Sequence, residues 1–309
     1  MKTLLALVLS LVVAPMMAAQ TTTSPKPPII DMHMHAYVKV TRTPDGKPMP
    51  RLCVLEPCEP RRGSTTDEGI LRDTIAAMEK FNIVKGFLSH ESANVQKWVS
   101  AAPDRFISSI WFGFPNTPLP DISQLRDQYR AGRLKGMGEI LTQYAAIAPN
   151  DPRLEPYFAL AEEMNVPVLI HTCGTGNPSI RTFRSSLGHP LLLEEVLVRH
   201  PKLRIYLENA GYPFLDEMIA LMTQYPQVHA DLSTVTWIFP RTAFHRYLRA
   251  LVEAGLGKRL MFGSDAMEWP EAIGLAIEAI ESANFLTAEQ KRDIFYNNAA
   301  RFLRLPDSE

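Results

Sequence analysis

Pro27-Pro28-Ile29-Ile30-Asp31-Met32-His33-Met34-His35 decides the reading of this chain. Ile29–His33 is a short apolar run that reads as a β-strand. Side chains alternate faces along a strand, so residues two apart project the same way. His33 and His35 therefore converge where the strand stops, which is how two nitrogen ligands reach one metal ion. Two histidines on a half-exposed strand are the plainer alternative, and the rest of the chain decides between them.

Seven further apolar runs follow at fairly even intervals: Ile83–Leu88, Phe106–Phe112, Lys135–Ile140, Pro167–His171, Leu203–Leu207, Val228–Leu232 and Arg259–Phe262. Amphipathic stretches lie between them, among them Asp67–Phe81, Pro152–Asn165, Pro190–His200, Pro213–Tyr225, Thr242–Gly255 and Pro270–Ala283. Proline in the first turn, with Asp or Glu nearby, marks several helix starts. Strands alternating with helices predict parallel β-α units. Eight such units predict an α/β fold closed as a (β/α)8 barrel. No Gly-x-Gly-x-x-Gly follows the first strand, which weighs against a dinucleotide-binding sheet.

In a barrel the C-terminal strand ends meet in one cup, however distant in sequence. Here those ends carry His33, His35, His90, Glu139, His171, Asn209, Asp231 and Asp265. Most of these are ligand or acid/base types. Asp265 ends Leu260-Met261-Phe262-Gly263-Ser264-Asp265, where a carboxylate can hold a metal and accept a proton from its water. Standing alone it would read as a helix N-cap. Glu139 closes Lys135-Gly136-Met137-Gly138-Glu139, whose glycines permit close approach, and His171 terminates the apolar Val166-Pro167-Val168-Leu169-Ile170.

These motifs resemble, in order, the strand-end motifs of the amidohydrolase superfamily, in the amidohydrolase-related family that includes aminocarboxymuconate-semialdehyde decarboxylase. They are His33-Met34-His35, Gly138-Glu139-Ile140, Pro167-Val168-Leu169-Ile170-His171-Thr172, Arg199-His200-Pro201-Lys202-Leu203-Arg204 and Met261-Phe262-Gly263-Ser264-Asp265. The likeness runs from about Ile29 to Leu305 and includes Asn297-Asn298-Ala299-Ala300-Arg301-Phe302-Leu303. It implies a distorted barrel holding one or two divalent metal ions, usually zinc, with manganese as the alternative. His33, His35, His171 and Asp265 match ligand positions, Asp265 also that of the base. Glu139 matches a carboxylate that bridges two metals in some relatives.

The chain departs from the family at Leu207-Glu208-Asn209-Ala210-Gly211, where a histidine usually stands at the Asn209 place. Asparagine takes no proton near neutral pH and is a poor zinc ligand, although its amide can donate a hydrogen bond. This departure favours one ion over two. With Asn209 facing the cup, Glu208 would reach it only if the strand end twisted. Asn209 thus enters as a catalytic candidate and as the ground for a non-catalytic alternative. Three functions stay open: metal-assisted hydrolysis of an amide, lactone or ester; non-oxidative decarboxylation on the same metal; and an exported binding protein without turnover. Arg181, Arg184 and His189 are weaker candidates for gripping a carboxylate, as are Trp237, Phe239 and Arg241 for lining a pocket. His200 reads as surface and His229 as strand packing.

The 309 residues are 46% hydrophobic and 21% charged, enough apolar content for a full core. Lys2 and the apolar run Leu4–Val13 read as a signal peptide, the run being too short to span a bilayer. Pro15 and Ala18-Ala19 place cleavage near Gln20, although Met16 or Met17 occupies a position that prefers a small residue. Export to the periplasm or medium is the expectation, with residues 20–28 a linker and 29–305 the barrel. Losing Lys2 moves the formal charge from −1 to −2, with no basic stripe for nucleic acid. A small molecule is the expected partner, and a homo-oligomer is compatible with it. The connection Ala36–Thr66, about 30 residues long, leaves strand 1 at the cup end, where long loops serve as lids or binding segments. Cys53 and Cys58 within it are close enough to pair in an oxidising compartment or to remain free thiols, and Cys173 stands apart.

Overall fold

A computed structural model describes residues 26–42, 45–47, 63–115, 117–177 and 179–306. Residues 1–19, expected to be a signal peptide, most of the expected linker, and Cys53 and Cys58 with the centre of the 36–66 insertion lie outside the described residues.

The eight expected strands are present: β1 Ile29–His35, β2 Ile83–Ser89, β3 Phe106–Ser108, β4 Met137–Ile140, β5 Val168–Ile170, β6 Ile205–Leu207, β7 Val228–Asp231 and β8 Leu260–Met261. All pair in parallel and in sequence order, as an arc of β1 to β3 and an arc of β4 to β8. Backbone hydrogen bonds close both gaps. Gly138 N donates to the Ile110 carbonyl at 3.0 Å and Phe112 N to Glu139 at 3.1 Å. On the other side Met32 N donates to Phe262 at 2.9 Å and Asp265 N to His33 at 2.8 Å. The result is the (β/α)8 barrel. β3 is shorter than its apolar run because the regular ladder ends at Ser108, and beyond it the chain keeps single backbone hydrogen bonds and one bridge, Phe112 opposite Ile140.

The helix Asp67–Phe81 has the expected bounds, with Thr66 Oγ1 accepting from Gly69 N at 3.1 Å as its N-cap. The proline-led stretches start as short 3-10 turns, Pro152–Leu154 and Pro190–Leu193, that run into the helices Glu155–Met164 and Glu194–Arg199. Ser92–Ala101 and Ile122–Arg130 complete the outer layer behind β2 and β3. None of the helices described is long and apolar enough to cross a membrane.

Two apolar layers follow from strand alternation. Ile30, Met32, Phe87, Ile107, Leu169, Tyr206 and Met261 fill the barrel interior, with Ala299 and Phe302 of the last helix against them. Ile83, Leu88, Val168, Ile170, Ile205, Leu207 and Leu260 face the surrounding helices. Phe302 sits where β6 begins, its carbonyl accepting from Arg204 at 2.8 Å, so the last helix covers the end opposite the cup. His200 differs from its surface reading. It is buried, its ring held between Glu155 at 2.9 Å and Glu162 at 3.1 Å, because the 194–199 helix ends against the 155–164 helix. His229 packs on the Phe302 ring, as expected of a strand residue.

Candidate metal centre

Strict alternation along β1 would not aim both Met32 and His33 inward. The pairing with β2 supplies the missing step: Asp31 stands opposite Gly86 and Met34 opposite Leu88, three residues spanning the space of two. Such a bulge re-aims the side chains beyond it. Ile30 and Met32 fill the barrel, and after the bulge His33 and His35 face the cup while Met34 turns to the helices.

His33 is fully buried, and its Nδ1 lies 3.1 Å from Asp231 Oδ2. Donating there leaves Nε2 bare toward His35 Nε2 at 3.2 Å, Glu139 Oε2 at 3.7 Å and Asp265 Oδ1 at 3.8 Å. His35 turns its Nδ1 to the Ser89 carbonyl at 3.3 Å, while its Nε2 lies 3.1 Å from Asp265 and 3.3 Å from Glu139. His171 follows the same design. Its Nδ1 meets Gln143 Oε1 at 2.6 Å, Gln143 itself being anchored on the Cys173 and Arg184 carbonyls. His171 Nε2 then faces Glu208 Oε2 at 3.7 Å.

Glu139 reaches the cup because Gly138 precedes it. Gly138 takes φ +106°, and a Cβ there would collide with the Leu169 carbonyl oxygen. Asp231 is fully buried and spends its second oxygen on three donors: Asn209 N at 3.0 Å, Ser233 N at 3.0 Å and Ser233 Oγ at 2.6 Å. Burial opposes a charge on His33, yet the Asp265 and Asp231 carboxylates outweigh it and raise its pKa well above the usual value. Burial lowers His171. It also drives His90, stacked on Trp111 at 3.9 Å, down to about 3, with His35 adding to the effect.

Glu208 is where structure and sequence differ. Its neighbour Tyr206 fills the barrel interior and Leu207 faces the helices, so Glu208 faces inward without any twist. It is 2% exposed and lines the cavity. Asn209 is also at the cup, but by a backbone turn, with φ +54° and ψ 23°. Its Nδ2 donates to Glu208 Oε1 at 2.7 Å, and its Oδ1 accepts from Ser233 at 3.1 Å and Thr234 at 2.5 Å. Period-two alternation counted from Tyr206 is the signal that finds Glu208. Burial and the Glu139 charge push its carboxyl well up.

Above these groups opens a cavity of about 420 Å³. One wall is a run of rings from His35 through Trp111, Phe114 and Tyr144 to His171, with neighbouring centroids 4.9–6.1 Å apart. Among its described lining residues are four carboxylates, Glu139, Glu208, Asp265 and Glu268, and no Lys or Arg. Arg181 and Arg184 lie outside it, and the Arg184 guanidinium donates to the Arg181 and Phe183 carbonyls. Phe239 packs on Tyr212, Arg241 donates to Ser282, and Trp237 donates to the Ser264 carbonyl at 2.7 Å beneath the cavity-lining Trp269.

Two observations test whether a metal fits. Asp265 Oδ1 and Glu208 Oε2 are buried carboxylate oxygens with no hydrogen-bond partner among the described residues, a costly arrangement that a cation relieves. The donors also gather into compact groups: one ligand atom each from His33, His35 and Asp265, and likewise from His33, Glu139 and Glu208, lie within 4.8 Å of one another. Imidazole nitrogens with carboxylates suit a divalent transition metal. The residues present fit such an ion.

An amidohydrolase family model matches residues 30–305. The chain belongs to the amidohydrolase family and is an enzyme of that metal-dependent superfamily. Among solved structures it is similar to a probable 2-pyrone-4,6-dicarboxylic acid hydrolase from Acinetobacter baumannii (TM-score 0.62, 16% identity, 90% of this chain and 100% of that one). It is also similar to 5-carboxyvanillate decarboxylase from Sphingomonas paucimobilis (TM-score 0.52, 19% identity, 75% and 82%). A third is an uncharacterized TIM-barrel protein from Bordetella bronchiseptica (TM-score 0.60, 18% identity, 77% and 84%). No curated protein matches the chain.

Proposed function

We propose that this protein hydrolyses a small amide, lactone or ester, without a free carboxylate, in the cavity above His33, His35 and Asp265. The observation that carries this reading is Asp265 Oδ1: buried, without a hydrogen-bond partner among the described residues, on the cavity wall and 3.1 Å from His35 Nε2. His33, His35 and Asp265 would hold the cation, with His171 and Glu139 adjoining, and zinc suits this set best, then manganese. When bound, a divalent cation acidifies water from a pKa of about 16 to about 7 and polarises an acyl oxygen. Asp265 accepts the proton of the attacking water and returns it to the leaving group. Asp231 and Gln143 keep His33 and His171 in the tautomer that bares Nε2. The wall of rings takes the apolar body of the substrate and excludes water.

Decarboxylation is less well supported, because a substrate carboxylate would face four carboxylates and, among the described lining residues, no Lys or Arg. Asn209 was the ground for a non-catalytic binder, and Glu208 places an ionisable side chain beside it.

The test is a mass-spectrometric screen of neutral amides, lactones, esters and aromatic carboxylates, with metal analysis of the same preparation. Water addition, lost by about 10²–10⁴-fold in Asp265→Asn, is expected. Loss of CO2 instead, or metal below about 0.5 equivalents with no rescue by zinc or manganese, overturns the reading. Export is proposed alongside, from Lys2 and Leu4–Val13. N-terminal sequencing from fractionated cells should begin near Gln20, and an intact Met1 in the cytosol opposes it.

A further inference from the structure

One carboxylate of the cavity stands apart from the donors gathered in the cup. Glu268 lies three residues beyond Asp265, in the connection from β8 to the helix Glu271–Glu281. It lines the cavity at 5% exposure, and neither compact donor group includes it. Among the described residues its one hydrogen-bond partner is a backbone group, Thr41 N, which donates to Oε2. No Lys, Arg or His among them pairs with it, and Oε1 has no hydrogen-bond partner there.

Anchoring Thr41 does not account for the charge. One N–H fills one of about four lone-pair positions on a carboxylate, and the neutral oxygen of a glutamine would accept it as well. A buried carboxylate without a cation is costly. A metal ion on His33, His35 and Asp265 would offset Asp265 and leave the charge of Glu268 in place. The side chain is nonetheless held firmly. Both described ends of the 36–66 connection rest on its loop: Thr41 N on Glu268, and Gly63 so close to Trp269 that an added Cβ would meet that ring at 2.8 Å. The surroundings suit an organic cation. Tyr37, Trp111 and Trp269 line the same cavity, and among its described lining residues no Lys or Arg competes for the carboxylate. Aromatic faces attract ammonium and guanidinium groups, most strongly where water is excluded.

We propose that Glu268 is a specificity-determining residue that pairs with a cationic group of the substrate, an ammonium or guanidinium, and so selects an amine-bearing amide, lactone or ester over its neutral counterpart. This deepens the hydrolytic reading of the same cavity and rests on it.

The experiment begins with binding. Calorimetry on the protein as purified, near neutral pH, compares probes that share one ring: benzylammonium, benzyl alcohol and benzoate. A hydrogen bond to a charged group predicts that benzylammonium binds about 10–100-fold more tightly than benzyl alcohol, with benzoate weakest. Glu268→Gln keeps an acceptor for Thr41 N and removes only the charge, so it should abolish that preference. Benzyl alcohol or benzoate binding the wild type as tightly as benzylammonium overturns the inference, and this comparison needs no variant to fold. A Glu268→Gln protein that retains the full preference overturns it as well. Turnover then separates the two readings. Amine-bearing esters and lactones are assayed against their N-acetyl forms, which lack the charge. A kcat/KM ratio that favours the amines by a similar factor, and collapses in Glu268→Gln, is expected. N-acetyl forms hydrolysed equally well by the wild type overturn the cation subsite and leave hydrolysis standing. Glu268-dependent binding of benzylammonium without hydrolysis of either form overturns the hydrolytic reading and leaves the subsite standing.

Discussion

Asp231→Asn replaces one oxygen by an amide and leaves the shape of the side chain unchanged, so it isolates what the carboxylate does. Asp231 accepts four contacts: Oδ2 faces His33 Nδ1 at 3.1 Å, and Oδ1 takes Asn209 N, Ser233 N and Ser233 Oγ. Asparagine has one accepting oxygen. If that oxygen keeps the three donors, the NH2 group faces His33 Nδ1, donor against donor. His33 must then move its proton to Nε2, the atom that faces His35, Glu139 and Asp265. If the amide turns round, two buried backbone N–H groups lose their acceptor, at about 1–3 kcal/mol for each group left unpaired. The first outcome is the cheaper, and its effect falls on the metal. Loss of such a partner weakens metal binding about 10–100-fold, or about 1.4–2.7 kcal/mol at 1.36 kcal/mol per tenfold. Competition titration with zinc reads the affinity, and nitrogen-15 NMR of the histidines reads the tautomer. Affinity within about twofold of wild type, with His33 still protonated at Nδ1, would refute the account of how His33 is oriented.

Two further outcomes follow from the fold. Gly138→Ala should cost at least about 2 kcal/mol or prevent folding, since the added Cβ meets the Leu169 carbonyl oxygen at a φ of +106°; thermal denaturation measures this, and an unchanged Tm counts against the close approach at β4. Away from the cup, Asp293 is buried, which by itself raises its pKa, but hydrogen bonds from Lys258 at 2.5 Å and Asn297 at 3.0 Å hold it below the usual 3.8. A depressed folded pKa contributes stability above the unfolded value that is lost as pH falls through the folded one. The gap between wild type and Asp293→Asn, about 1–2 kcal/mol near neutrality, should therefore close between about pH 5 and about pH 2. A gap that stays constant across that window would remove Asp293 as a charged anchor.

The strands were legible in the sequence because each is an apolar run that a backbone of period two must bury. Their even spacing was enough to imply a closed barrel. The same logic brought His33, His35, Glu139, His171 and Asp265 to one end, since strand ends converge once the barrel closes. Which way each polar side chain points was a different matter. On β1 a bulge, set by pairing with β2, re-aims His33. On β6 the inward packing of Tyr206 puts Glu208 in the cup, and a left-handed turn brings Asn209 beside it. Asp231 becomes the partner of His33, and Gln143 that of His171, through contacts 198 and 28 residues apart. Phe114 and Tyr144 come from connections that have no period to read, and Trp111 from the part of the Phe106–Phe112 run that lies beyond the end of β3. Local pattern follows from the repeat of the backbone, so it is written in the sequence. Convergence depends on register, bulges and loop paths, and these exist only once the barrel has closed.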